Sequence, residues 1–217
     1  MKLIDIAVVG FDLDQTLYPK SPAIDQAIQA YIYERIAEHL HCSIDEAKNL
    51  FTDLYQAGAG LSGSQSLAKL GIPNSKEIVQ EALERADIST FLAPNAATLT
   101  LLRLIKKKYR ALDLITGSTT NIMEAKLRHM EIPLATFDHV IAGEISKADG
   151  TAFQDWLSIH QNHRPEQLVY IGDREKTDFT IPNALGIRCI LVNISKPNPD
   201  IDCPQLEKLA DISDYLL

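Results

Sequence analysis

The chain has 217 residues, which is enough for one domain with a sizeable core or for a core that carries a smaller insert. Its apolar fraction of 46% and charged fraction of 23% are ordinary for a globular protein. The formal net charge of −8 argues against a basic surface for a nucleic-acid backbone, so we expect no nucleic-acid partner.

Cysteine usage and apolar runs bear on the compartment. The three cysteines, Cys42, Cys189 and Cys203, form no CxxC pair, so neither a disulfide framework nor a structural zinc site is expected. No apolar run approaches the roughly 18 residues of a membrane span, and the first apolar stretch contains Asp5, unlike a signal peptide. We expect a cytoplasmic protein without membrane association; the sequence does not indicate an oligomeric state.

The first predicted element is a buried strand, because the run Ile4–Phe11 is short, apolar and rich in β-branched residues. A wholly helical pattern follows from about residue 21 to residue 91. Its first helix shows an i, i+4 apolar stripe formed by Ile24, Ile28, Ile32, Ile36 and Leu40. Ser43 and Glu46 form a capping box that opens the next helix. A glycine-rich segment and two shorter helices, at 66–70 and 76–85, complete this block.

After Pro94 the pattern alternates between helices and strands. The predicted elements are helix 96–108, strand 111–116, helix 121–129, strand 139–142, helix 151–160, strand 168–172, a short helix before Gly186 and strand 188–193. Such alternation implies right-handed crossovers and a parallel sheet. We therefore predict an α/β fold, a three-layer Rossmann-like parallel sheet core with an inserted all-helical cap. Residues 1–17 and 93–217 are assigned to the core, and residues 18–92 to the cap.

Ligands of open parallel sheets bind at the carboxyl ends of the strands. The first predicted strand is followed by Asp12 and Asp14. Two carboxylates this close repel each other unless a cation neutralises them or one is protonated. Oxygen ligands of this kind suit a hard divalent ion such as Mg²⁺. A chance pair of aspartates in a turn is the alternative.

Three further strand ends carry polar groups. Thr116 and Gly117 follow the second strand, where a hydroxyl and open backbone N–H groups can hold an anion. Lys147 precedes the helix at 151–160 and would offset the charge of carboxylates and a phosphoryl group. Asp173 and Asp178 follow the strand at 168–172 as candidate metal ligands. Alone, each has an ordinary alternative: a strand-to-helix turn, an exposed lysine and a polar loop.

The four segments resemble, in order, the four motifs of the haloacid dehalogenase superfamily. They are FDLDQTL, ITGS, SKADGTAF with its Lys147, and IGDREKTD. The helical block lies between the first and second motifs, as in one large subfamily that carries a helical cap. Tyr18 with Pro19, and the stretch Leu54–Gly58, also resemble the pyrimidine 5′-nucleotidase-like branch.

This resemblance implies a magnesium-dependent phosphatase. Asp12 would be the nucleophile that forms an aspartyl-phosphate, and Asp14 the general acid that later acts as base. Thr116, Gly117 and Lys147 would bind the transferred phosphoryl group, with Lys147 also orienting Asp12. Asp14 distinguishes phosphatases from the true dehalogenases of the superfamily, so carbon–halogen cleavage is not expected.

The same resemblance implies Mg²⁺ as the cofactor. The predicted metal ligands are Asp12, Asp14 through its backbone carbonyl, Asp173, and Asp178 directly or through water. The chain departs from the family pattern at several positions, among them Gln15, Ala148, Gly150 and Arg174, with Asp113 an unexpected charge in the second strand and Pro182 in the helix after the fourth motif. The changes at 148 and 150 replace prolines, which predicts a looser loop around Lys147.

The predicted substrate is a small phosphate monoester, with a nucleoside 5′-monophosphate placed first. A sugar phosphate or phosphoglycolate is an alternative served by the same chemistry. We expect the cap to close over the site and contact substrate through Tyr18, Tyr55 and the loop at 58–64. A different class also stays open: a non-catalytic module that binds a phosphorylated ligand without turnover.

Overall fold

A computed structural model describes residues 3–19, 21–55, 61–85, 88 and 91–217. These residues fall into two compact units. One contains residues 3–19 and 92–217, and the other lies between Ser21 and Phe91. The boundaries therefore lie near residues 20 and 91, a few positions from those predicted at 17 and 92. Among the described residues, no helix is both long and apolar enough to cross a membrane.

The first unit is built on a five-stranded sheet in the order β3-β2-β1-β4-β5. Its strands are β1 (Val8–Phe11), β2 (Ala111–Ile115), β3 (Val140–Ile141), β4 (Leu168–Gly172) and β5 (Arg188–Leu191). Every neighbouring pair is parallel. The predicted α/β fold with a parallel sheet is confirmed.

Both units contain helices. In chain order they are α1 (Pro22–Leu40), α2 (Ile44–Leu54), α3 (Gly63–Lys69), α4 (Ser75–Arg85), α5 (Ala96–Lys108), α6 (Thr120–His129), α7 (Thr151–Ile159), α8 (Ile181–Ala184) and α9 (Ser213–Leu216). Helices α1 to α4 lie in the second unit, and the helices from α5 onward alternate with the strands of the first. A π-helical turn, Glu175–Thr180, precedes α8, which has Pro182 in its first turn, where no backbone donor is needed.

The main differences from the predicted elements lie at strand ends. β1 begins at Val8 rather than Ile4, because Asp5 has a left-handed φ of 61° and Ile4 is exposed. β5 ends at Leu191, and Asn193, which was predicted to be extended, has a φ of 59°. A left-handed residue turns the backbone away from the extended path that a strand requires.

The second unit has its own apolar cluster, in which Ile32 and Ile36 of α1 pack with Phe51 of α2 and with residues of the two following helices. The predicted capping box of α2 is present, with Ser43 accepting from the backbone N–H of Glu46. The glycine-rich segment was predicted as loop, but its second half begins α3 at Gly63 behind a second capping box. The S-x-x-Q pattern of that box is its sequence signal. Residues 56–60 lie outside the described residues.

The sheet packs closely against α7 at Gly10, in the middle of β1. A Cβ atom placed on Gly10 would lie 2.7 Å from Cζ2 of Trp156 and 2.9 Å from Cδ1 of Ile115. Both neighbours are themselves fully buried, so neither side chain can move aside. Gly10 therefore sets the spacing between β1 and α7.

We expect Gly10→Ala to lower the free energy of unfolding by about 1–3 kcal/mol through overpacking. Urea unfolding of the wild type and the variant measures this difference. Gly63→Ala is the matched control, since its added Cβ would meet Val79 at an ordinary 3.4 Å at the start of a helix. An equal effect in both variants would contradict the packing argument.

A buried carboxylate, Asp113, lies in the centre of β2 with only 1% of the residue exposed. Its Oδ2 lies 2.7 Å from Nε1 of Trp156 and 2.6 Å from Nε2 of His160. Its Oδ1 lies 2.9 Å from Nδ1 of His139 and also accepts from the His139 backbone N–H. Burial alone would raise the pKa of Asp113, but these hydrogen bonds lower it overall.

The lowered pKa gives the stability a defined pH dependence. Because the folded pKa lies below the ordinary 3.8, the stabilisation is full above that pH and is lost as pH falls through the folded value. We expect Asp113→Asn to be less stable than the wild type by about 2–4 kcal/mol at neutral pH, since two donors lose their acceptor. The gap should shrink in acid. Urea unfolding across pH tests this, with the exposed Asp155→Asn as the control, whose gap should stay near zero.

Candidate active site

The carboxyl edge of the sheet gathers most of the predicted site residues. Asp12 directly follows β1, Thr116 follows β2, and Asp173 follows β4. Because Phe11 of β1 pairs with Leu114 and with Ile171, these strands end at the same level. All three residues are buried, which is unusual for the two aspartates among them.

Lys147 connects two of the carboxylates. Its Nζ lies 2.7 Å from Oδ1 of Asp12 and 2.7 Å from Oδ1 of Asp178. The other oxygen of Asp12 accepts from the hydroxyl of Thr16 at 3.3 Å. All three charged groups are less than a tenth exposed, so their interactions are weakly screened by solvent.

The loop after β4 is organised by Asp178. Its Oδ2 accepts from the backbone N–H groups of Asp173 and Arg174, both at 3.0 Å. A Cβ on Gly172 would lie 2.4 Å from Cβ of Asp178, so only glycine leaves room for this turn. The Nε atom of Arg174 lies 3.9 Å from Oδ1 of Asp173, and the Arg174 side chain is largely exposed.

Asp14 is held by three donors, two of which, Lys126 and Ser118, were not among the predicted site residues. Lys126 Nζ lies 2.5 Å from Oδ1, and the hydroxyl of Tyr18 donates to the same oxygen at 2.6 Å. The hydroxyl of Ser118 donates to Oδ2 at 2.5 Å and also accepts from Lys126 at 3.0 Å. Lys126 is only 3% exposed. Its sequence signal is a charge placed three residues after Met123, on the apolar face of α6.

The pKa values of the two aspartates move in opposite directions. Burial, with the nearby Asp178 and Asp14 charges, raises the pKa of Asp12 to about 7, although Lys147 opposes the shift. Burial also acts to raise the pKa of Asp14, but Lys126 and its hydrogen bonds lower it overall. Lys147 keeps a raised pKa, since its two carboxylate partners outweigh its burial. The surroundings therefore favour the charged form of Asp14, whereas Asp12 has too little positive charge nearby to offset its burial.

The predicted anion site lies beside these groups. Thr116 is fully buried, and its hydroxyl accepts from the Ser118 backbone N–H at 3.1 Å. Among the described residues, no atom beyond its own chain neighbours lies within 4 Å of a Cβ built on Gly117, so the backbone there is open to a ligand. The close approach that requires glycine occurs at Gly143, whose Cβ would lie within 2.1 Å of the Gly117 carbonyl oxygen.

The departures from the family pattern have a structural account. Gln15 adopts a φ of 59°, the conformation that glycine favours, and its carbonyl accepts from Asn193 at 2.7 Å. Gly150 has a φ of 89°, and its N–H donates to the carbonyl of Lys147 at 3.2 Å. Ala148 donates to the Ser146 hydroxyl. The loop around Lys147 was predicted to be looser without the prolines, but these hydrogen bonds within the loop hold its backbone.

The residues predicted to contact substrate are found in other settings. Tyr18 belongs to the first unit and is 8% exposed, with its hydroxyl on Asp14. Tyr55 stacks on Phe51 with ring centroids 4.9 Å apart. The loop at 58–64 falls partly outside the described residues, and Gly63 and Ser64 belong to α3. The prediction of a loop at Gly63 and Ser64 is wrong, since both residues are helical.

A divalent cation fits the donor set at this edge. Asp12, Asp173 and Asp178 are all buried, and one carboxylate oxygen from each lies within 4.8 Å of the others. Lys147 and the largely exposed Arg174 supply two positive charges against the three carboxylates, so a negative charge remains that a hard cation would neutralise. The Asp14 carboxylate faces Lys126 instead, in keeping with a predicted contribution through its carbonyl.

Fold and site define an α/β protein whose buried carboxylates gather at the carboxyl edge of a parallel sheet, as in enzymes of doubly wound folds. Residues 9–192 match the family profile of the haloacid dehalogenase-like hydrolases. The chain therefore belongs to this family of hydrolases, as the four motifs predicted. No curated protein sequence matches it.

Solved structures share the fold over nearly the whole chain. A β-phosphoglucomutase assigned in Thermotoga maritima is 22% identical, with 96% of this chain and 97% of that one covered and a TM-score of 0.63. A haloacid dehalogenase-type phosphatase of Thermococcus onnurineus is 18% identical, with 98% and 100% covered and a TM-score of 0.67. The hydrolase YfnB of Bacillus subtilis, solved with bound magnesium, is 15% identical, with 96% and 97% covered and a TM-score of 0.60.

Proposed function

We propose that the chain is a phosphatase that hydrolyses a small phosphate monoester through an aspartyl-phosphate on Asp12. The observation that carries this proposal is the contact of Lys147 Nζ with both Asp12 and Asp178, at 2.7 Å each, inside a buried carboxylate cluster. A lysine in this position orients the Asp12 carboxylate and offers positive charge to a phosphoryl group.

In the first step an oxygen of Asp12 forms a bond to phosphorus, and the bond between phosphorus and the ester oxygen breaks. Asp14 rests as a carboxylate, so it takes up a proton from solvent before this step and passes that proton to the leaving oxygen. The products are an alcohol and the phosphorylated Asp12. Thr116 and the open backbone beside Gly117 hold the oxygens of the phosphoryl group. The burial of these groups excludes water from the attack.

In the second step Asp14, now a carboxylate, takes a proton from water, which attacks the phosphorus of the aspartyl-phosphate. Inorganic phosphate leaves and Asp12 is regenerated. Lys126, Ser118 and Tyr18 fix both oxygens of Asp14, which favours this carboxylate form. The three donors therefore support the role of Asp14 as base.

We further propose Mg²⁺ as the cofactor, held by Asp12, Asp173, the carbonyl of Asp14, and Asp178 directly or through water. The bound ion would offset the negative charges of the phosphoryl group and of the three buried carboxylates, which otherwise repel each other. The buried cluster of carboxylates and the magnesium of the YfnB structure support this assignment.

The class of the ester is the finer part of the proposal. The nucleoside 5′-monophosphate prediction rested on Tyr18 and on the stretch Leu54–Gly58. Tyr18 binds Asp14, Tyr55 packs on Phe51, and residues 56–60 lie outside the described residues. The likeness to a β-phosphoglucomutase favours a sugar phosphate as the second candidate. Both belong in one substrate panel.

The test is phosphate release from p-nitrophenyl phosphate and then from a panel of nucleoside monophosphates, sugar phosphates and phosphoglycolate, each with and without Mg²⁺. We expect release that depends on the metal, with one class of natural ester preferred. Binding of these esters without any release would instead establish the non-catalytic module. Release that is unchanged by a chelator would contradict the assignment of Mg²⁺.

A further inference from the structure

A second group of ligand-type side chains surrounds Asp113, outside the phosphatase site. Asp113 lies on β2, His139 immediately before β3, and His160 immediately after α7. Nδ1 of His139 and Nε2 of His160 each face one oxygen of the carboxylate, at 2.9 Å and 2.6 Å. One ligand atom from each of the three residues lies within 4.8 Å of the others.

We propose that Asp113, His139 and His160 form a binding site for a transition-metal ion of the zinc type. Two imidazole nitrogens and one carboxylate oxygen are a donor set that Zn²⁺ accepts, whereas Mg²⁺ prefers oxygen ligands alone. The site would therefore differ in metal preference from the carboxylate cluster around Asp12. Three protein ligands leave the fourth tetrahedral position to water.

The three side chains can reach the geometry of a zinc site through a small movement. In a tetrahedral site, ligand atoms about 2.0–2.1 Å from a zinc ion are about 3.3–3.4 Å apart. The two carboxylate–imidazole contacts of 2.6 and 2.9 Å must therefore widen by less than about 1 Å, and the remaining separation, which is within 4.8 Å, must narrow by at most about 1.5 Å. The side chain of His139 is 44% exposed and can supply that movement, while Asp113 and His160 are fixed by burial. The exposed ring also provides the route by which an ion enters.

The carboxylate is already supported as a metal ligand would be. The indole N–H of Trp156 donates to Oδ2 at 2.7 Å, and the backbone N–H of His139 donates to Oδ1 at 3.0 Å. These two bonds do not use the imidazoles, so they persist when the rings bind a metal. Hydrogen bonds of this kind orient a ligand and commonly affect metal affinity by about 10–100-fold.

Metal binding requires each imidazole to use a lone pair. In the structure the two ring nitrogens face an ionised carboxylate, which only accepts, so they carry protons. On binding, the proton leaves that nitrogen for the opposite ring nitrogen or for solvent, and the N–H···O contact is replaced by a bond to the ion. No electron transfer or further reactant is involved.

The experiment is a titration of the metal-free protein with Zn²⁺ in the presence of a chromophoric chelator and an excess of Mg²⁺. The excess Mg²⁺ occupies the carboxylate cluster, so the titration reports the histidine site. The variants are His139→Ala, which removes an exposed ligand and should fold, and His163→Ala as the matched control. The ring of His163 lies 6.5 Å from that of His160.

We expect the wild type and His163→Ala to bind one Zn²⁺ per chain, and His139→Ala to lose at least about tenfold in affinity. Asp173→Asn should bind Zn²⁺ as the wild type does, because its lost carboxylate belongs to the other cluster. Absence of zinc binding in the wild type would overturn the proposal. Equal affinity in His139→Ala, or loss of the site in Asp173→Asn, would overturn it as well.

Discussion

Asp12→Asn should lower the rate of phosphate release by about 10³-fold or more, because an amide cannot attack phosphorus and loss of the carboxylate eliminates the covalent route. The variant keeps the shape of the side chain, so binding of phosphate monoesters should survive. Initial rates with p-nitrophenyl phosphate and Mg²⁺ measure the loss. A single-turnover experiment in acid quench should show phosphorylated protein for the wild type and none for the variant.

The same variant offers an independent test through stability. The raised pKa of Asp12 means that its charged form is disfavoured in the folded protein without metal. Replacing it by a neutral amide should therefore leave the metal-free melting temperature unchanged or higher, which is common where a site is built for function. The exposed Asp155→Asn is the control for activity. Activity within tenfold of wild type in a pure Asp12→Asn sample would remove Asp12 from the mechanism.

Lys126→Met should lower kcat by about 10–10²-fold, a loss typical of an impaired general base. The methionine fills most of the space of the lysine, but Asp14 loses its 2.5 Å ion pair and Ser118 loses a donor. Because Asp14 would then be poorly placed to activate water, breakdown of the aspartyl-phosphate should become the slow step. Rapid quench should reveal a burst of about one alcohol per active site.

Two controls separate positioning from general damage. Lys126→Arg keeps a cation within reach of Asp14 and should recover part of kcat with little burst. Lys106→Met removes a lysine whose Nζ pairs with Asp138 at the surface, and its kinetics should match the wild type. If Lys126→Met folds normally and keeps the wild-type kcat, Lys126 does not position Asp14.

The placement of the site could be predicted because parallel strands end at a common edge. Asp12, Thr116 and Asp173 each follow a strand with a clear apolar signal, so their neighbourhood follows once the sheet is assigned. The parallel sheet could be predicted because crossover connections leave few other topologies, and the structure confirms it. The roles of these residues stay predictions until the experiments above are done.

The contacts around Asp14 could not be predicted in the same way. Ser118 lies 104 residues and Lys126 112 residues further along the chain. A single lysine in a helix has no local pattern that separates a buried partner from a solvated side chain. Only its position on the apolar face with Met123 and Leu127 hinted at burial. Tyr18 was expected to face substrate because it follows the first motif and resembles the nucleotidase-like branch. Its contact with Asp14 depends on side-chain direction, which periodicity does not encode.

The order of the strands also determines how the protein opens. β1 lies in the middle of the sheet and pairs on both sides, whereas β3 is a two-residue strand at the edge. Amide hydrogens of a central strand exchange with solvent only when the whole sheet unfolds, and those of a short edge strand exchange through local fluctuations. The strand that positions Asp12 is therefore among the last to lose its structure, so partial openings elsewhere leave the support of the nucleophile intact.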